Sequence, residues 1–471
     1  MRFTDAHSSS SVCSPTRYSL LTGRYHWRTR LQRGIVNVWE PPLIAPERLT
    51  LPGLLRRAGY RTACVGKWHL GWEWPMPPEM IESLQQIARR NREEIAPTDE
   101  QIETWRVAFS RPIAGGPVAR GFDTYFGVDL PNWPPFCFIE QDRTVGIPSR
   151  FLPAALLGNN QASLQGPAVA DWTLEPVLPR LIDRACEEIA RLRKQGSPYF
   201  LYLSLPSPHT PLAVNEPWKG RSGLNAYADF VMETDAMVGR VLAAIDAGPG
   251  EPGGRDDTLV IFTSDNGCAP YIGVRELEQK GHYPSGPLRG YKSDVFEGGH
   301  RVPLIVRWPG IAAAGSQCGR TVGSIDLMAT LAAIVGEALP PDAGEDSVSL
   351  LPLLLGQDRP VRAALVHQSI HGTFAIREGN WKLIFGRGSG GWTEPTEESA
   401  RKRDLPALQL YDLAADLGET TNLADRRPDV VARLTDTMRA VVADGRSTRG
   451  PVQPNDVPPA WPDPGAAPID R

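Results

Sequence analysis

A thiol, a proline and a guanidinium stand close together in Ser11-Val12-Cys13-Ser14-Pro15-Thr16-Arg17. Pro15 suits the first turn of a helix, where a missing N–H costs nothing. Tyr18, Leu20, Leu21 and Gly23 extend the stretch as one short helix. Cys13 then lies at the helix N-terminus, where the dipole and unpaired N–H groups favour negative charge. Arg17 is one turn further on, so its guanidinium can reach the same spot. A nucleophile beside an anion cradle suits an ester of a strong oxyacid. A buried free cysteine at a helix start would fit the same short pattern, so other groups must decide.

Those groups follow along the chain. Lys67 and His69 in Gly66-Lys67-Trp68-His69-Leu70-Gly71 are two apart, so on extended backbone they share one side. Such a pair can hold an oxyanion and move a proton. His209 is fenced by prolines in Pro206-Ser207-Pro208-His209-Thr210-Pro211, which stiffen its loop. Asp265-Asn266 precedes Gly267, a sequence that by itself could be no more than a tight turn. Tyr60–Val65, Tyr199–Leu205 and Thr258–Phe262 read as strands just before these three sites. Open α/β sheets bind ligands along that edge, and independent accidents would not share it.

Taken together, the motifs resemble the type I sulfatases of the alkaline phosphatase superfamily. Cys13-Ser14-Pro15-Thr16-Arg17 with Leu21-Thr22-Gly23-Arg24 matches the C-x-P-x-R signature, and Gly66–Gly71 matches G-K-W-H-x-G. Pro287-Leu288-Arg289-Gly290-Tyr291-Lys292 and Glu297-Gly298-Gly299-His300-Arg301-Val302-Pro303 follow in family order. The resemblance spans about Phe3 to Ala424. It implies that a formylglycine-generating enzyme converts Cys13 to formylglycine, whose aldehyde hydrate attacks sulfur. It implies Ca2+ held by Asp265, Asn266 and residue 13. It also implies that Arg17, Lys67 and Lys292 hold the sulfate, that His209 protonates the leaving alcohol and that His69 takes a proton to restore the aldehyde. His300 stands where the family usually has an aliphatic residue and is given no catalytic role. The substrate expected is a sulfated small molecule or glycan, either an aryl sulfate or a sulfated sugar.

Composition narrows the alternatives. Lys plus Arg number 50 against 54 acidic residues, so a nucleic-acid partner is not expected. Six cysteines are scattered without a C-x-x-C pair, which argues against a zinc ribbon or a disulfide framework. No stretch resembles a membrane-spanning helix. A cysteine phosphatase would need a longer Cys-to-Arg spacing. A phosphodiesterase or phosphonate hydrolase of the same superfamily, or an inactive truncated homologue, remains as an alternative.

The elements that must position these groups predict an α/β fold. A large, mixed, mostly parallel sheet is sandwiched by helices, with a smaller C-terminal α+β domain of antiparallel sheet plus helix. The catalytic unit is expected over residues 1–355, the small domain over 356–447 and an irregular Pro-rich tail over 448–471. Apolar spacing predicts helices at Leu174–Lys194 and Gly223–Ile245, and a helix from Asp99, as its cap, to Phe109. The apolar runs predict strands buried on both faces. Residues 73–116, including charged helical material from Glu79 to Glu94, read as a lid, and aromatic residues 130–160 as a wall of the substrate pocket. A hairpin joins Thr373–Arg377 to Trp381–Phe385 through Glu378-Gly379-Asn380.

The family resemblance places an N-terminal strand ending in two aspartates, further calcium ligands, ahead of Met1-Arg2-Phe3. Residues 1–471 are therefore expected to bind calcium weakly, to be poorly soluble and to turn over little. No signal peptide opens the chain, whereas the family suggests an exported, periplasmic location.

Overall fold

The computed structural model describes residues 1–90, 93, 95, 97–157, 162–247 and 253–462. The expected helix end at Glu94, the end of the aromatic loop at Asn160 and the tail beyond residue 462 lie outside them. Cys13–Thr22 is a helix. Val12 is extended ahead of it, and Gly23 ends it in the left-handed region at φ 64°, its N–H on Ser19 O. A Cβ at Gly23 would lie 2.8 Å from Met328 Cβ, so only glycine fits this close approach. Every residue of the helix is buried.

The fold is α/β, and its strands fall into several sheets. One has the order Arg143–Val145, Phe138–Glu140, Thr124–Val128, Arg61–Lys67, Tyr199–Ser204. Arg61–Lys67 runs parallel to both neighbours, and Phe138–Glu140 runs antiparallel to Thr124–Val128 and to Arg143–Val145. A second sheet has the order Val260–Thr263, Leu304–Arg307, Arg2–Phe3, Gln317–Cys318. Tyr199–Ser204 and Val260–Thr263 each end their sheet, and they feed the same layers. Leu201, Leu203 and Val260 pack on one apolar cluster, while Phe200, Tyr202 and Ile261 pack on another. The helices Val177–Lys194 and Ala226–Asp246 pack on each other, the first also against Arg61–Lys67.

Two local expectations need correction. The strands at 199–204 and 260–263 are half-buried instead of enclosed. Each has a hydrogen-bonded neighbour on one side alone among the described residues, so its other edge is open. Thr98 caps the Asp99–Phe109 helix, not Asp99. Its hydroxyl accepts from Gln101 N while the Gln101 side chain returns to Thr98 N, and Asp99 is the first helical residue.

The antiparallel sheet near the C-terminus pairs Leu365–Gln368, Phe374–Glu378, Trp381–Ile384 and Gln409–Asp412 in that order. The helix Pro428–Ala443 covers it through Val430, Leu434 and Met438. Among the described residues no helix is long and apolar enough to cross a membrane.

Candidate active site

Cys13, Arg17, Lys67, Lys292 and Asp265 meet around one point. Lys292 Nζ lies 3.6 Å from Cys13 Sγ, and both residues are buried. Arg17 places Nε and Nη2 at 3.1 and 2.9 Å from Asp265 Oδ2. Its Nη1 donates to Lys67 O at 3.0 Å and to Ser204 Oγ, which itself donates to Lys67 O at 2.8 Å. Lys67 and Ser204 close two parallel strands, and Asp265 follows the Val260–Thr263 strand. Gly66, at φ 121°, turns the end of its strand; a Cβ there would lie 2.0 Å from Ser204 O.

The charges set the chemistry. Burial alone would push the Cys13 thiol up, but Lys292, Lys67 and Arg17 outweigh it and hold the group below its ordinary range. Burial and the neighbouring Arg17 and Lys292 pull Lys67 down. Burial opposes the Lys292 charge too, yet Cys13, Tyr271 and Asp265 leave it raised. Against burial, the Asp265 carboxyl is held down at about 2 by Arg17, Lys67 and Lys292. Three cations thus outnumber the carboxylates that face them, Asp265 and Asp129, the latter also within the fields of Lys67 and Arg17, an arrangement with affinity for an anion.

The two imidazoles join the same field. His69 is buried, with Nε2 3.0 Å from Val36 O and Nδ1 without a hydrogen-bond partner. It sits at φ 57°, its backbone N–H on Asp129 Oδ1 at 3.0 Å. With Nε2–H given to Val36 O, Nδ1 carries the free lone pair. Burial, then Lys67 and Arg17, hold His69 well below the usual imidazole range. His209 Nδ1 faces Thr210 O, and burial with Lys292 and Lys67 lowers it likewise. Both rings are neutral at pH 7 until an anion offsets the cations.

The donor set around Asp265 also fits a hard cation. Asn266 Oδ1 is buried without a partner, while its amide donates to Gly267 O at 2.8 Å. That carbonyl and the Asp265 carboxylate are two oxygen ligands of the kind Ca2+ takes.

Sequence reasoning missed several contributors. Ser204 locks Arg17 to the end of the neighbouring strand, and Asp129 anchors the His69 backbone. Neither residue stood in a pattern that set it apart from other polar residues near strand ends. The structure also reveals a second buried cluster. His7, His300 and His367 each offer a nitrogen within 4.8 Å of the others, a spacing that could hold a metal ion. His300 Nδ1 lies 3.1 Å from His7 Nδ1, and His7 Nε2 lies 2.9 Å from Asp5 Oδ1. Lys382 Nζ lies 3.2 Å from His300 Nε2, so Lys382, His300, His7 and Asp5 can form one donor-to-acceptor chain. Around it Asp5, Glu297 and Glu419 pair with Arg301, Arg377 and Lys382.

Comparisons with known proteins identify the family and the fold. The family described as Sulfatase matches residues 1–337. The chain is 30% identical to an N-acetylgalactosamine-6-O-sulfatase of Bacteroides thetaiotaomicron, over 94% of this chain and 86% of that protein. It is 30% identical to arylsulfatase A of Bos taurus, over 96% and 83%. A solved structure from work on glycosaminoglycan metabolism by Bacteroides thetaiotaomicron superposes with a TM-score of 0.77. It is 27% identical and covers 94% of this chain and 91% of that one.

Proposed function

This chain belongs to the sulfatase family and is a sulfuric ester hydrolase; on that premise we propose that it cleaves a sulfated sugar with a formylglycine made from Cys13. The observation that carries the reading is the trio Arg17, Lys67 and Lys292, buried around residue 13 and outnumbering the carboxylates that face them. The name of the Bacteroides thetaiotaomicron relative supports a sulfated amino sugar as substrate.

The modification supplies a geminal diol as nucleophile, and a divalent cation on Asp265 and Asn266 supplies Lewis acidity beside it. The side chains do the remainder. Lys67 and Lys292 bind the sulfate oxygens, and Arg17, fixed by Asp265 and Ser204, adds a third positive charge. These charges are held in place before the reaction and act where negative charge grows, so they should lower the barrier more than any other feature of the site. Binding the anion offsets the repulsion from Lys292 and Lys67 that adds to burial in keeping His209 neutral. His209 then carries a proton at Nε2 and gives it to the leaving alcohol. His69, its Nε2–H fixed on Val36 O, takes a proton at Nδ1.

The test is mass spectrometry of the peptide bearing residue 13 after co-expression with a formylglycine-generating enzyme, with release of inorganic sulfate from N-acetylgalactosamine 6-sulfate measured alongside. Loss of the thiol and sulfate release are expected. An unmodified cysteine with undiminished turnover would overturn the nucleophile. Faster cleavage of a phosphate diester would favour the phosphodiesterase reading.

A further inference from the structure

One exposed tryptophan is mounted directly beside the site. Trp392 is 40% exposed, although Ser389, Gly390 and Gly391 before it are buried. Its backbone N–H reaches Ser293 Oγ and Asp294 Oδ1, both at 3.0 Å. Asp294 also accepts from Thr393 N at 3.2 Å, from Thr393 Oγ1 at 2.6 Å and from Tyr291 N at 2.9 Å. The loop is therefore tied to Ser293 and Asp294, the two residues that follow Lys292. Gly391 lies flat on that segment; a Cβ there would be 2.5 Å from Ser293 O and 2.4 Å from Asp294 Oδ1.

A second ring completes a corner. Tyr271 lies five residues past Asn266, with its ring centroid 5.7 Å from that of Trp392 and tilted by 40°. Its phenol is close enough to Lys292 to bear on that cation's charge. Neither ring takes part in the bond-breaking chemistry. A rigid loop that holds a large apolar ring in solvent needs a use for it, since exposed aromatic surface gains nothing for folding.

We propose that Trp392 and Tyr271 form a sugar-binding subsite, on which the apolar C–H face of a sulfated pyranose stacks while its sulfate sits at Lys292. The inference rests on the sulfatase reading and narrows its substrate to carbohydrate. Two tilted rings suit a puckered ring with one apolar face, and the exposed side leaves room for a longer glycan.

Cys13→Ala binds without turnover, so calorimetric titrations of this variant separate recognition from catalysis. The probes are inorganic sulfate, N-acetylgalactosamine 6-sulfate and 4-nitrophenyl sulfate. Adding Trp392→Ala is expected to weaken the sugar sulfate about tenfold and inorganic sulfate less than about twofold, with Trp392→Phe restoring most of the loss. Tyr271→Leu gives a smaller loss of the same pattern. Unchanged sugar binding in Trp392→Ala overturns the proposal. An equal loss of inorganic sulfate overturns it too, because the tryptophan would then only support Lys292. An equal loss of 4-nitrophenyl sulfate removes the carbohydrate assignment. A Cys13→Ala protein that binds inorganic sulfate but not the sugar sulfate sinks this inference alone. One that binds neither sinks the sulfate site and the inference with it.

Discussion

The molecule buries two charge clusters on either side of the Lys292–His300 segment, and they are built on opposite rules. Around Cys13, Arg17, Lys67 and Lys292 outnumber the two carboxylates that face them, Asp265 and Asp129. Around His7, three cations face three carboxylates: Arg301, Arg377 and Lys382 against Asp5, Glu297 and Glu419. The first is left with positive charge that only a ligand can neutralise. The second neutralises itself, and its histidines link donors to acceptors. The difference teaches how to tell a binding site from a buried brace when both hold histidines and charges: count what remains unpaired.

The largest expected effect lies in the balanced cluster. Lys382 is fully buried, 3.1 Å from Glu297 and 2.8 Å from Glu419. Lys382→Met leaves Glu419 without its ion-pair partner and takes from Glu297 its nearest one, and should cost about 3–5 kcal/mol of stability, read by urea denaturation. The same substitution in the unbalanced cluster should do the reverse. Burial and like charges already oppose the Lys67 cation, so Lys67→Met should leave the unfolding midpoint equal or higher. Its turnover should still fall by about 10²–10³, because a sulfate contact is gone. Matching stability losses in the two variants would erase the distinction.

A finer test uses pH. Burial and Glu297 raise the Glu419 carboxyl to about 7, against Lys382, whereas an unfolded chain titrates near about 4.3. The folded chain binds that proton more tightly. This group's contribution to stability therefore falls as pH rises from about 4.3 to about 7, and levels off above. Glu419→Gln should flatten that decline in denaturant midpoints taken between pH 5 and 8. The smallest effect lies outside both clusters. Lys402 and Glu398 form an exposed pair one helical turn apart, and Lys402→Ala should leave the midpoint unchanged within error.

Much of this was legible in the chain because the site follows strand ends. Lys67, His209 and Asp265 lie where apolar runs stop, and the structure sets them at or beyond the ends of Arg61–Lys67, Tyr199–Ser204 and Val260–Thr263. Helix spacing carried over closely, as at Val177–Lys194 and Ala226–Asp246. The burial of the strands did not, because an apolar run reports side-chain character and not whether both edges find neighbours. The balanced cluster was invisible for another reason. His7, His300 and His367 share no local spacing; long-range bridges bring them together, His7 pairing with Arg301 next to His300 and Ser10 with Gln368 next to His367. Trp392 stands in no motif, because its tie to Asp294 spans 98 residues of chain.

Arg17 has a mechanical consequence as well. Its guanidinium grips Ser204 and the Lys67 carbonyl on one sheet and the Asp265 carboxylate beyond the other. It works as a rivet between two sheets that no strand pairing joins among the described residues. Any sliding of one sheet past the other must shear that rivet and scatter the sulfate-binding charges together. Affinity for the anion and the alignment of the two halves should therefore fail as a single event on heating.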